Sequence, residues 1–171
     1  MSPLKILFLS AEVTPFAKTG GLGDVCGSLP KALRLLGHDV RVALPAYQPV
    51  EQAVNSGRWN LKILPGDLHI PLGGDTLPAG VFHGALPGSD VPVYFIAERN
   101  LFNRPRIYGY NDDPYRFSFF SRAALDLIPA LDWHPDVIHA HEWHAAPALL
   151  WLATAGQSDD RYRRLASVFT I

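Results

Sequence analysis

The chain has 171 residues, 48% of them apolar and 18% charged, and a formal net charge of −1 from 15 basic and 16 acidic side chains. That balance excludes the electrostatic footprint of a nucleic-acid or anionic-membrane binder. The apolar content suits one packed domain and excludes a disordered segment. The single cysteine, Cys26, excludes an internal disulfide and a cysteine-built zinc site.

Residues 4–10 form a short, nearly continuous apolar run, which predicts a strand buried on both faces, as in a parallel sheet. Residues 11–21 carry Pro15, Gly20 and Gly21 and read as a loop. Leu22, Val25, Leu29, Leu33 and Leu36 then follow at spacings of 3, 4, 4 and 3, the stripe of one helix face. A kink or break is expected at Pro30 and an end at Gly37. Residues 40–44 predict the next strand, so a βαβ unit of an α/β sheet opens the chain.

Residues 45–97 are dense in proline and glycine, with β-like pieces around 59–64, 68–72, 79–84 and 91–96. Gly73 and Gly74 suit a hairpin turn. The stretch reads as a β-rich insertion that returns to the main sheet at its end. Residues 98–113 lack periodicity and predict a long functional loop. A helix over 114–130 opens on Pro114. A strand at 136–140, a helix at 144–155 and a strand at 167–171 complete the chain. The fold class expected is therefore α/β, a Rossmann-like, mostly parallel sheet with a β-rich insertion. The last strand stops with no turn or polar tail, and the chain is expected to be the front part of a longer one. No leader pattern or membrane-length apolar run is visible, so a cytoplasmic location is expected.

Two stretches carry chemistry. Lys18-Thr19-Gly20-Gly21-Leu22-Gly23-Asp24-Val25 lies between a buried strand and a helix start. Its glycines allow positive φ and close ligand approach, the helix start offers unpaired N–H groups, and Lys18 adds a mobile charge. Together these suit a diphosphate or an anionic leaving group; glycines that merely permit a tight crossing are the structural alternative. No Gly-Lys-Ser/Thr closes the loop, which excludes a P-loop. Gly21, Gly23 and Gly27 only approximate the dinucleotide fingerprint, because residues 11–20 intervene and no acidic residue ends the second strand.

The second stretch is Asp136-Val137-Ile138-His139-Ala140-His141-Glu142-Trp143-His144. On a strand, His139 and His141 share a side, and His144 falls at the next helix start. His141-Glu142-Trp143-His144 is one residue short of H-E-x-x-H, so the zinc-protease geometry is lost and no metal site is assigned. Core histidines remain one reading. The other is a polar pocket in which His, Glu and Trp take the hydroxyls and apolar face of a sugar.

At these residues the chain resembles the bacterial glycogen synthase and plant starch synthase family, whose front signature is K-T-G-G-L-x-D-V. The likeness extends to Ser10, Glu12 and Pro15, to Leu44-Pro45-Ala46-Tyr47, Arg104-Pro105, Tyr108-Gly109 and Arg116-Phe117, and to residues 135–141. The resemblance implies the N-terminal half of a GT-B glycosyltransferase, with residues 1–171 as one Rossmann-like domain. A C-terminal nucleotide-binding domain, absent from this chain, would dock on it. It implies transfer of glucose from ADP-glucose to the non-reducing end of an α-1,4-glucan with retention, without a cofactor. Carried over residue by residue, it implies substrate-binding roles for Lys18, Gly20, Gly21, Asp24, Tyr108, His141, Glu142 and His144. The family more often has aspartate at Glu142. No catalytic residue is assigned within the chain, so the isolated chain is expected to be inactive. The alternative is a non-catalytic glucan- or nucleotide-sugar-binding module.

Overall fold

A computed structural model describes residues 2–171. The chain runs β1 (Lys5–Leu9), α1 (Gly21–Leu35), β2 (Asp39–Pro45), α2 (Gln48–Ser56), β3 (Lys62–Ile63), β4 (Leu68–Leu72), β5 (Asp75–Ala85) and β6 (Pro92–Ala97). It continues through α3 (Arg99–Phe102), α4 (Asp113–Ala130), β7 (Val137–His141), α5 (Glu142–Ala153) and β8 (Ala166–Thr170). The sheet order is β3-β5-β6-β2-β1-β7-β8, with β4 paired to β5. From β6 to β8 every pairing is parallel; β3, β4 and β5 join antiparallel. The mostly parallel sheet and its β-rich insertion are as expected. Leu7, Phe8 and Leu9 of β1, paired on both edges by β2 and β7, are buried, as in a parallel sheet whose faces are covered by helices.

The strand order reverses direction at β1, which has β2 on one side and β7 on the other. The crevice beyond the carboxyl ends of two such strands is where open α/β sheets bind ligands. The loop after β1 holds Lys18, and the junction after β7 holds His141 to His144. Topology thus brings the two chemistry-bearing stretches to one edge of the sheet.

Helix α1 departs from its expected form in two ways. It runs through Pro30 without a break. Pro30 is buried there, so its packing offsets the one main-chain hydrogen bond the ring removes. Its most deeply buried residues are Gly23, Cys26, Gly27 and Pro30; of the leucine stripe, Leu22, Leu29 and Leu33 pack partly buried against the core, while Val25 and Leu36 are exposed. Close approach explains the choice. A Cβ on Gly27 would sit 2.8 Å from the Thr14 carbonyl oxygen, and one on Gly23 3.1 Å from Lys18 Cγ. Small residues let the helix lie directly on the loop that follows β1.

Within 45–97, α2 is an element the sequence did not announce. Pro49 falls in its first turn, where a proline fits, and Gly57 ends it at φ 72°. The expected strand around 59–64 shrinks to the two residues of β3, preceded by a tight turn at Arg58–Asn60. Gly73 and Gly74, at φ 63° and 92°, make the expected hairpin between β4 and β5. Helix α4 buries Phe117, Phe119, Phe120, Leu125 and Ile128 and packs on α5 and β4. Strand β8 is an edge strand exposed along its length. Among the described residues no helix is long and apolar enough to cross a membrane.

Candidate functional site

Glu12, the third residue past the end of β1 at Leu9, organises the glycine-rich loop. It is 3% exposed, yet its carboxylate accepts four hydrogen bonds. Thr19 donates from its backbone N–H (2.6 Å) and its hydroxyl (2.6 Å), Gly20 from its N–H (3.1 Å), and Tyr108 from its hydroxyl (2.8 Å). Burial pushes the Glu12 carboxyl up, but the bonds from Thr19, Gly20 and Tyr108 outweigh it and hold the group below the usual carboxylate range. Glu12 belongs to a stretch that carries the family resemblance, but the sequence reading assigned it no role in the site. The available signal was a lone carboxylate immediately after a buried strand, at the ligand-binding end of a sheet.

Lys18 and Asp24 are brought together. The Lys18 ammonium lies 2.6 Å from both Asp24 carboxylate oxygens, and the hydrogen bond from Lys18 lowers the Asp24 pKa. The expected mobile charge is therefore already partnered. The pair is open to solvent, so an arriving anion can displace Asp24 at little cost. The glycines also act differently from expectation: Gly20, Gly21 and Gly23 do not adopt positive φ. Gly20 is the N-cap of α1 in extended geometry, and no side chain caps the helix. A Cβ on Gly20 or Gly21 would meet nothing within 4 Å, so their bareness leaves the first-turn N–H groups of α1 open.

Tyr108 joins this loop to the histidines. Its hydroxyl is on Glu12, and its ring stacks on His144 at 4.5 Å and 21°. Burial, and then the bond to Glu12, raise the Tyr108 pKa, so the phenol stays protonated. The Tyr108 loop is held from below by Arg116, which is fully buried. Arg116 donates to the Ile107 carbonyl (3.2 Å) and to Asp113 (3.0 Å), while Asp113 accepts from the Gly109 N–H (2.8 Å). Gly109 stands at φ 90°, a conformation that favours glycine.

His139 and His141 lie on one side of β7, as the strand period requires, with rings 4.1 Å apart and both against Phe8. His141 is 1% exposed and His144 6%, and burial lowers each pKa to about 4. Both are neutral at pH 7. The structure thus buries His141 behind the site and brings Gly20, Tyr108 and His144 into one connected chain through Glu12.

Glu142, the first residue of α5 and directly after β7, stands at φ 62°. A non-glycine residue there costs about 1–3 kcal/mol of backbone strain. The substitution Glu142→Gly is expected to be more stable than Glu142→Ala by about 1 kcal/mol, because only glycine relaxes that angle. Urea midpoints of the two variants compare them directly; equal midpoints would remove the strain from the account.

The sheet order and the two loops meeting beside β1 define a Rossmann-like α/β domain whose strand order reverses at β1, the kind of place where open α/β sheets bind ligands. The chain belongs to the family described as starch synthase catalytic domain, whose model matches residues 5–171. It is 44% identical over 170 residues to the glycogen synthase of Moorella thermoacetica, covering 99% of this chain and 33% of that protein. It is 43% identical over 178 residues to glycogen synthase 1 of Geobacter sulfurreducens, covering 100% of this chain and 34% of that one. The catalytic domain of starch synthase IV from Arabidopsis thaliana, solved bound to ADP and acarbose, superposes with a TM-score of 0.85 at 31% identity. That likeness covers 98% of this chain and 34% of the other, and places the fold in the GT-B class. The chain spans about a third of the length of the relatives it matches.

Proposed function

We propose that this chain forms one lip of the cleft of a glucosyltransferase, which moves glucose from ADP-glucose to the non-reducing end of an α-1,4-glucan with retention. The observation that carries the reading is the displaceable Lys18–Asp24 pair at the uncapped start of α1. Departure of ADP concentrates negative charge on its phosphates. Lys18 and the uncapped first-turn N–H groups of α1 stabilise that charge where it develops. Asp24 holds Lys18 in place until the donor arrives. Tyr108 and the neutral His144 wall the glucosyl side, with Glu142 beside them and His141 supporting the wall from the core. A second, nucleotide-binding domain docks across this edge and completes the cleft, in the cytoplasm. The family match and the ADP and acarbose of the Arabidopsis relative support this reading.

The chain by itself supplies half of such a cleft, so it turns over little or no substrate alone. Lys18→Ala in the longer enzyme is expected to lower glucosyl transfer by about 100-fold, the scale of a lost oxyanion-stabilising group. Unchanged transfer and unchanged ADP-glucose affinity would overturn the role of Lys18. Robust turnover by the 171-residue chain alone would overturn the half-cleft reading.

A further inference from the structure

A cavity of about 610 Å³ opens beside the Lys18 loop, and a neutral glucan does not account for its chemistry. Its lining includes the cations Lys18, Arg58, Arg104 and Arg106, and no aspartate, glutamate, asparagine or glutamine. Sugar hydroxyls are ordinarily met by such acceptors, and here they are missing. Lys18 is paired with Asp24, and Arg104 with Asp112 at 2.6 Å. Arg58 and Arg106 meet no carboxylate among the described residues. Both are held on aromatic faces instead. The Arg58 guanidinium lies 4.4 Å from the Trp59 ring centre, and that of Arg106 5.1 Å from the Tyr110 ring centre. Arg106 also donates from Nη2 to the Gly109 carbonyl (3.3 Å). Stacking fixes each guanidinium plane and leaves the rest of its N–H edge for an anion.

Trp59 is itself held in a costly geometry. It stands at φ 62° with Asn60 next to it at φ 48°. A bulky residue there is an outlier that persists only where its surroundings hold it. Phe16 supplies one such contact, edge-on at 4.8 Å. The result is an indole set in the cavity wall, with Tyr108 also lining it.

We propose that this cavity is a second ligand site, for a phosphate monoester carried on a sugar or nucleoside ring. Arg58 and Arg106 hold the phosphate, and Trp59 and Tyr108 wall the ring. Because Lys18 and Tyr108 line it too, an occupant there lies against the Lys18 loop. The proposal does not depend on the glucosyl-transfer reading, since binding is measured on the chain itself.

Isothermal titration of the 171-residue chain with glucose 6-phosphate, AMP, inorganic phosphate and glucose tests it. Glucose 6-phosphate or AMP is expected to bind about tenfold or more tightly than inorganic phosphate or glucose, and the preferred one names the ring. The double variant Arg58→Ala/Arg106→Ala is expected to weaken that binding about tenfold or more at an unchanged melting temperature. Trp59→Gly relaxes the φ angle, keeps the fold and also weakens binding. Three results would overturn the proposal: no saturable binding of either phosphorylated ring, inorganic phosphate or glucose binding as tightly, or affinity untouched by the double variant.

Discussion

Lowering the pH from 7 to 4 is expected to remove up to roughly 3 kcal/mol of folding stability for each of His141 and His144. Both imidazoles are buried, and burial is the largest cause of their low pKa of about 4. His139 beside His141 repels a second charge. Glu12 and Asp113 pull His144 partly back, while Arg116 opposes them. In the unfolded chain both histidines titrate near the ordinary value of about 6.5. Between there and pH 4 the unfolded state binds the protons and the folded state does not. Stability from these groups is therefore complete above about pH 6.5, falls as the pH drops, and levels off below their folded pKa. A domain of this kind is stable by only about 5–15 kcal/mol, so the combined loss is a large fraction of its total stability. Urea unfolding at a series of pH values gives the slope, about 1.4 kcal/mol per pH unit for each histidine. His144→Phe keeps an aromatic ring on Tyr108 and is expected to remove its share of the slope. A stability that stays flat between pH 7 and pH 5 would show that the histidines are not buried as described.

The second large effect is expected at Glu12. Glu12→Gln preserves shape but replaces one acceptor oxygen with an NH₂ group. That group then faces N–H or O–H donors from Thr19, Gly20 or Tyr108. A hydrogen bond to a charged group contributes about 1.5–3 kcal/mol net, and a buried donor left unmet costs a similar amount. The expected loss is about 2–3 kcal/mol in urea unfolding, with faster amide exchange at Thr19 and Gly20. Tyr108→Phe removes only one of the four bonds and is expected to cost about 1 kcal/mol. The pH window differs from that of the histidines. The Glu12 carboxyl is lowered in the folded chain, so its contribution is present above about pH 4.3 and lost as the pH falls through the folded value. Exchange protection at Thr19 and Gly20 unchanged in Glu12→Gln would break the link between this carboxylate and the loop.

Much of the architecture was legible because its signals are local. The apolar run at β1, the paired glycines of the β4–β5 hairpin and the period of β7 each report on neighbours in sequence. Helix α2 was hidden because Pro49 is a breaker in a helix interior and a fitting residue in a first turn, and composition does not say which applies. The deepest positions of α1 were hidden for a related reason. Leucine spacing finds Leu22, Leu29 and Leu33, which pack against the core, whereas the most buried line is set by how closely Gly23 and Gly27 let the helix approach Thr14 and Lys18.

The candidate site divides along the same line. Residue types and their spacing were sufficient to single out Lys18, Glu142 and the histidines, because a cationic glycine loop and a His-rich strand end are unusual in themselves, whereas Asp24 and Tyr108 came only from the family resemblance. Which of them touch was decided by the fold. Lys18 pairs with Asp24 six residues away, but Tyr108 reaches Glu12 across 96 positions of sequence. The sequence by itself determined an α/β chain with two polar loops at strand ends. Only the tertiary structure decided that both loops meet beside β1 and that a buried carboxylate ties them together. Parallel pairing and hydrogen bonding between distant segments depend on strand order, and strand order is written in no local pattern.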